Sequence, residues 1–183
     1  MKISDYIADE YGSKRGLARY AVFNTKKWFG VYRNAGKKQV AGTRRLIFIC
    51  SGNICRSPFG EAVSLKAGFP AISFGLHCRG GDPAFEKTLD YARRHGYNLD
   101  GHRSTQMKEY QPEQGDLLIV MEPAHLMELE AQYPDTKKVL IGQFATTPTV
   151  YLHDPYNTNQ QFFDKCMQQI EEATLSLITT IKK

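Results

Sequence analysis

Four short, uninterrupted apolar runs set the tightest limit on what this chain can fold into: LIFIC (46–50), AISFG (71–75), DLLIVME (116–122) and KVLIG (138–142). A strand with one wet face alternates polar and apolar residues, whereas a strand buried on both faces is apolar throughout. Helix-length segments separate the runs. Ser57, Pro58 and Glu61 predict a helix to about Gly68, with the hydroxyl as N-cap, the proline first in the helix and the acid in its first turn. After the polar turn RGGD, Pro83 opens the amphipathic AFEKTLDYARRHG, which Gly96 closes. PAHLMELEAQ lies between the third and fourth runs, and a last helix is expected from about Gln160 to Ile181. This alternation predicts an α/β fold, a doubly wound parallel sheet with helices on both faces. Ligands of such sheets bind beyond the carboxyl ends of the strands. The turn after LIFIC is therefore where chemistry is sought.

A chain of 183 residues has room for one such domain and an appendage. Residues 1–45 hold 11 Lys or Arg against 3 acids, leaving 13 against 16 for the rest. We divide the chain there, into a basic N-terminal extension over 1–45 and an α/β domain over 46–183. Because the positive charge belongs to the extension and not to the whole fold, no nucleic acid is expected as partner. Within the extension, Leu17, Tyr20, Ala21, Trp28, Val31 and Tyr32 recur at near-helical spacing among Lys14, Arg15, Arg19, Lys26, Lys27 and Arg33. That pattern predicts a basic amphipathic helix over 13–33, suited to an anionic membrane surface, to a partner protein or to packing on the domain. No run approaches the roughly 18 apolar residues of a membrane span, and charges occupy the N-terminus where a secretory apolar region would stand. The expected location is cytoplasmic, peripheral at the membrane if the helix docks there. Cys50, Cys55, Cys78 and Cys166 lack the density of a disulfide framework and read as reduced thiols.

The most informative segment is CSGNICRSP, residues 50–58. A loop closing onto a helix N-terminus aims several backbone N–H groups at one spot, where the helix dipole also favours negative charge. Gly52 and Asn53 tolerate the left-handed backbone of such a nest, and Ser51, Ile54 and Cys55 complete it. Arg56 adds a planar fork for two phosphate oxygens. A thiol at a helix N-terminus beside an arginine ionises readily, so Cys50 is expected as a thiolate nucleophile, with Ser57 donating a hydrogen bond to it. Asp154, in LHDPYN, is the candidate general acid for the leaving oxygen, and Tyr156 a wall for an aromatic leaving group.

Taken together, C-S-G-N-I-C-R-S-P after a strand and a late D-P-Y resemble the low-molecular-weight protein tyrosine phosphatases. The resemblance covers residues 46–183. It implies a four-stranded parallel sheet, phosphotyrosine-containing proteins as substrates, inorganic phosphate as product, a phosphocysteine intermediate, and neither metal nor cofactor. Cys50 would be nucleophile, Arg56 phosphate clamp, Ser57 thiolate partner and Asp154 acid, with Asn53 shaping the loop through Ser73 and His102. It further implies that Cys55 pairs with Cys50 on oxidation. Asn157 stands where the family often has a second aromatic, His77 where the loop after the second strand often supplies another, and Thr105 where arginine is common. Two rival readings share these residues. A thiol-dependent arsenate reductase needs a relay of further cysteines, but Cys78 and Cys166 are 88 residues apart. An idle oxyanion-binding module would leave the basic extension as the working part.

Overall fold

The computed structural model describes residues 2–183, so the extension expected over 1–45 is seen from residue 2 on. Strands β1 (Arg45–Cys50), β2 (Ala71–Gly75), β3 (Asp116–Val120) and β4 (Lys137–Leu140) form one sheet in the order β2-β1-β3-β4. Each neighbouring pair is parallel. Central β1 explains why LIFIC carries no polar alternation. Leu46 and Phe48 enter the larger core, shared with α3 (Arg56–Lys66), α4 (Glu86–Arg94) and α6 (Gln160–Ile181), while Ile47 and Ile49 enter a second core shared with α5 (Pro123–Gln132). All four are fully buried, each worth about 1.5–3 kcal/mol. The chain leaves β1 for β2 on one side and returns for β3 on the other, so the carboxyl end of β1 lies at the switch point of the sheet.

Boundaries differ from expectation at several places: the third run is a strand only to Val120, and the stretch that Pro83 opens becomes helical at Glu86. Helix α3 starts at Arg56 with Cys55 as N-cap and no side-chain cap. Ser57 is thus inside the helix, its hydroxyl turned into the loop, and Glu61 lies beyond the first turn. The fourth run stops being a strand at Leu140 and continues as a 3-10 segment, Ile141–Phe144. The basic helix expected over 13–33 ends at Trp28 as α2 (Lys14–Trp28), and a separate α1 (Ile3–Tyr11) precedes it. Gly12, at φ 74°, breaks the two apart, and Ser13 caps α2 by accepting from the Gly16 amide at 2.9 Å.

The extension packs on the segment between β4 and α6. Lys27 donates to the Pro148 carbonyl at 2.6 Å, Asn159 donates to Asp9 at 2.7 Å, and Lys165 pairs with Glu10. The Phe23 and Tyr151 rings lie 5.4 Å apart. Among the described residues, no helix is long and apolar enough to cross a membrane.

Alanine in place of a helical glycine ordinarily stabilises by up to about 1 kcal/mol. At Gly16 the sign reverses, because an added Cβ would meet the Tyr11 carbonyl at 2.0 Å and the His153 ring at 3.0 Å. Gly16→Ala is expected to cost about 2 kcal/mol and to expose the α1–α2 junction, read as faster limited proteolysis there.

Candidate active site

Beyond Cys50 the chain turns through residues 51–55 onto α3, and Asn53 holds that turn. It is the one non-glycine residue with positive φ among the described residues, at 52°. Gly52, expected to share that conformation, does not adopt it. A short polar side chain tolerates the left-handed region by bonding locally. Asn53 Nδ2 donates to Ser57 Oγ at 2.9 Å and to Ser73 Oγ at 2.8 Å, and its Oδ1 accepts from the Thr105 amide at 2.7 Å. His102 Nε2 lies 2.7 Å from the Asn53 carbonyl, an acceptor, so that nitrogen carries the proton. Burial, with Arg103 nearby, holds the His102 imidazole below its ordinary pKa. Close approach by β2 completes the frame: a Cβ on Gly75 would meet Cys78 Sγ at 2.7 Å and Asn53 Cβ at 3.0 Å.

Cys50 Sγ lies under this loop, receiving the Asn53 amide at 3.2 Å and standing 3.0 Å from Ser57 Oγ. Ser57 Oγ accepts from Asn53, and of the two acceptors facing its one proton the sulfur, at 3.0 Å, is nearer than the Phe74 carbonyl at 3.5 Å. Arg56 is buried beside them. Its Nη1 donates to the Leu152 carbonyl at 3.0 Å, Nη2 lies 3.4 Å from Asp154, and Nε is buried without a partner. Burial works to discharge the guanidinium, but Asp154, Cys50 and Glu122 outweigh it and keep the group charged. Asp154 is half exposed, with 49% of its side chain accessible, and Tyr156 packs on Phe85 at 4.6 Å beside it. Ile54 accepts the Phe85 amide at 2.8 Å. His77 supports the loop through its amide, which donates to Ser51 O at 2.8 Å, while its ring turns to Glu128 at 3.3 Å. The sequence expectation had that ring in the substrate pocket.

Burial raises the pKa of the other three thiols, that of Cys166 to about 12. All four cysteines are free. No group of three or more His, Cys, Asp or Glu side chains suited to a metal occurs among the described residues.

Two participants escaped the sequence reading. His125 Nε2 lies 3.1 Å from Ser51 Oγ and 3.3 Å from Glu122. Burial, with Arg56 and His77, pushes its pKa down to about 3, so the ring is neutral, with Nε2 between the Ser51 hydroxyl and the carboxylate. The usable signal was E-P-A-H beginning at the last residue of the third apolar run, just beyond the carboxyl end of a strand neighbouring β1.

Residues 45–183 match the low molecular weight phosphotyrosine protein phosphatase family. The chain belongs to that family. Etp of Escherichia coli K12, a low molecular weight protein-tyrosine-phosphatase, is 32% identical over 133 residues, 70% of this chain and 88% of that protein. The tyrosine phosphatase Wzb from Escherichia coli K30, solved in complex with sulphate, is 31% identical with a TM-score of 0.63, over 73% of this chain and 94% of that one. YwlE, an arginine phosphatase of Geobacillus stearothermophilus, superposes at a TM-score of 0.69 but only 21% identity, over 76% of this chain and 93% of that one, which is a likeness of fold. As a low molecular weight protein tyrosine phosphatase, the chain is a hydrolase acting on phosphoproteins.

Asn53→Ala removes three side-chain hydrogen bonds and leaves alanine in a left-handed conformation. A loss of about 3 kcal/mol in urea unfolding is expected, with weaker phosphate binding by calorimetry. An unchanged midpoint would remove Asn53 from its place as organiser of the loop.

Proposed function

We propose that the protein hydrolyses phosphotyrosine monoesters through a phosphocysteine, with residues 46–183 as the catalytic domain. The observation that carries this is the buried Arg56 Nε, a charge-bearing donor without a partner, beside a sulfur that two donors already face. A tetrahedral dianion in the loop would give that donor its missing acceptor and place its other oxygens against the loop amides. Cys50 Sγ attacks phosphorus in line, the S–P bond forming as the P–O bond to the tyrosine ring breaks. Asp154 delivers a proton to the departing phenolic oxygen. Water then attacks the phosphocysteine, giving its proton to Asp154, and inorganic phosphate leaves as the S–P bond breaks and the Cys50 thiolate returns. Charge spread over the equatorial oxygens meets Arg56 and the loop amides throughout. Tyr156 offers the aromatic leaving group a flat wall.

A cysteine relay for arsenate reduction has no comparable support. Burial opposes ionisation of both Cys78 and Cys166.

The extension has a second face. Trp28, Phe29 and Val31 are 83%, 75% and 61% exposed, the two aromatic rings 5.5 Å apart, beside Lys26 and Arg33. Exposed aromatics among cations fit the headgroup layer of an anionic bilayer, and we assign that contact to residues 1–45. Co-sedimentation with vesicles containing phosphatidylglycerol should fall about tenfold in Trp28→Ser/Phe29→Ser, each aromatic contributing roughly 1 kcal/mol or less of interfacial burial. Equal partitioning of variant and parent removes the membrane contact.

For the chemistry, Cys50→Ser is expected to abolish hydrolysis of a phosphotyrosine peptide. Asp154→Ala should slow unactivated phenyl phosphate about a hundredfold and para-nitrophenyl phosphate far less, because a good leaving group needs little help from an acid. A uniform loss across leaving groups would exclude Asp154 as the proton donor, and turnover surviving in Cys50→Ser would exclude the covalent route.

A further inference from the structure

The mouth of the site has a wall built by the extension. A cavity of about 410 Å³ lies between Ser51 of the loop, the segment from Asp154 to Thr158, and the start of α2. Arg15 and Arg19 line it, one helical turn apart and therefore on the same face of α2. The family match begins only at residue 45, so both arginines lie outside it. Arg19 stands 4.0 Å from Glu122, the outer limit of an ion pair, and Arg15 holds no carboxylate within that distance among the described residues. The other carboxylate lining the cavity, Asp154, is already paired with Arg56. Glu122 is itself largely buried and its carboxyl is held above its usual range by that burial, which weakens the one counter-charge near Arg19.

Two guanidinium forks thus face an open cavity beside the reacting centre with little to neutralise them, and such forks select carboxylates and phosphates over other groups. We propose that Arg15 and Arg19 form a subsite for an acidic side chain flanking the phosphotyrosine, and so make the extension part of the substrate-recognition surface. This rests on the Cys50 loop being the seat of the phosphotyrosine. With the phosphoryl group in that loop and the ring against Tyr156, a neighbouring residue of the substrate chain directed toward α2 enters the cavity. An Asp or Glu there meets both arginines.

The test uses the full chain and peptides bearing a non-hydrolysable phosphonate analogue of phosphotyrosine, flanked on both sides by Glu, Gln or Lys, with affinity read by fluorescence anisotropy. The Glu peptide is expected to bind about fivefold more tightly than the Gln peptide at low salt, the yield of two partly exposed charge pairs, and the preference should shrink at about 0.5 M salt. Arg15→Ala/Arg19→Ala should bring the ratio to about one, and Arg15→Glu/Arg19→Glu should transfer the preference to the Lys peptide. Equal affinity of the wild type for Glu and Gln peptides overturns the subsite alone, as does a preference that survives in both double variants. If no phosphonate peptide binds, the phosphotyrosine reading falls with it, and para-nitrophenyl phosphate turnover then shows whether the hydrolytic chemistry stands without it.

Discussion

The site depends on one side chain held in an unfavourable backbone conformation. Asn53 occupies the left-handed region at φ 52°, at a cost on the order of 1 kcal/mol, and its amide group offsets that cost by bonding three separate elements. Ser57 belongs to α3, Ser73 to β2, and Thr105 to the segment leading toward β3. The loop over Cys50 is thereby fastened to the sheet and to the helix whose dipole it exploits. Remove that tie and Ser57 loses the donor that directs its own proton toward sulfur.

Arg56 is the second constraint, because a fully buried guanidinium is tolerated only where compensation is arranged around it. Here the compensation comes from the segment between β4 and α6: the Leu152 carbonyl and Asp154. The cradle and the acid-bearing loop are consequently not independent parts. His153, between those two residues, in turn faces Ser13 of the extension at 3.2 Å and Tyr151 at 2.7 Å. A continuous set of contacts therefore runs from α2 through His153 to the residues around the buried guanidinium.

How much of this was legible in the sequence follows from which forces write themselves locally. The four strands were legible because burial on both faces forces apolar residues at consecutive positions, and the helix start after the loop was legible to within two residues. Its cap was misplaced because Ser57 resembles an N-cap in every local respect, while its hydroxyl is used by Cys50 and Asn53 instead. Gly52 was misjudged for a similar reason. Glycine permits positive φ but does not require it, and the hydrogen bonds that demand it converge on Asn53. The pairing of the His77 ring with Glu128 was not legible, because nothing in the neighbours of His77 announces that carboxylate. His125 and Glu122 were missed since their proximity to Ser51 arises from the pairing of β1 with β3, more than sixty residues apart in sequence. The extension was expected as one helix because its apolar spacing continues past Trp28, where helix formation ends in a turn at Gly30, φ 80°.

In the resting site Arg56 and Asp154 face each other, and each supplies what the other needs while no substrate is bound. A phosphate dianion seated in the loop competes for the same guanidinium with twice the charge and better-aligned oxygens. In the proposed reaction, occupancy of the cradle would weaken the hold of Arg56 on the carboxyl and free Asp154 to turn toward the leaving oxygen. Its exposure, 49% against 2% for the arginine side chain, gives it room to do so while the arginine stays fixed. In that proposal the buried member of the pair holds charge through both chemical steps, and the exposed member delivers a proton and takes one back. The division of burial between the two residues thus matches the division of labour the proposed reaction asks of them.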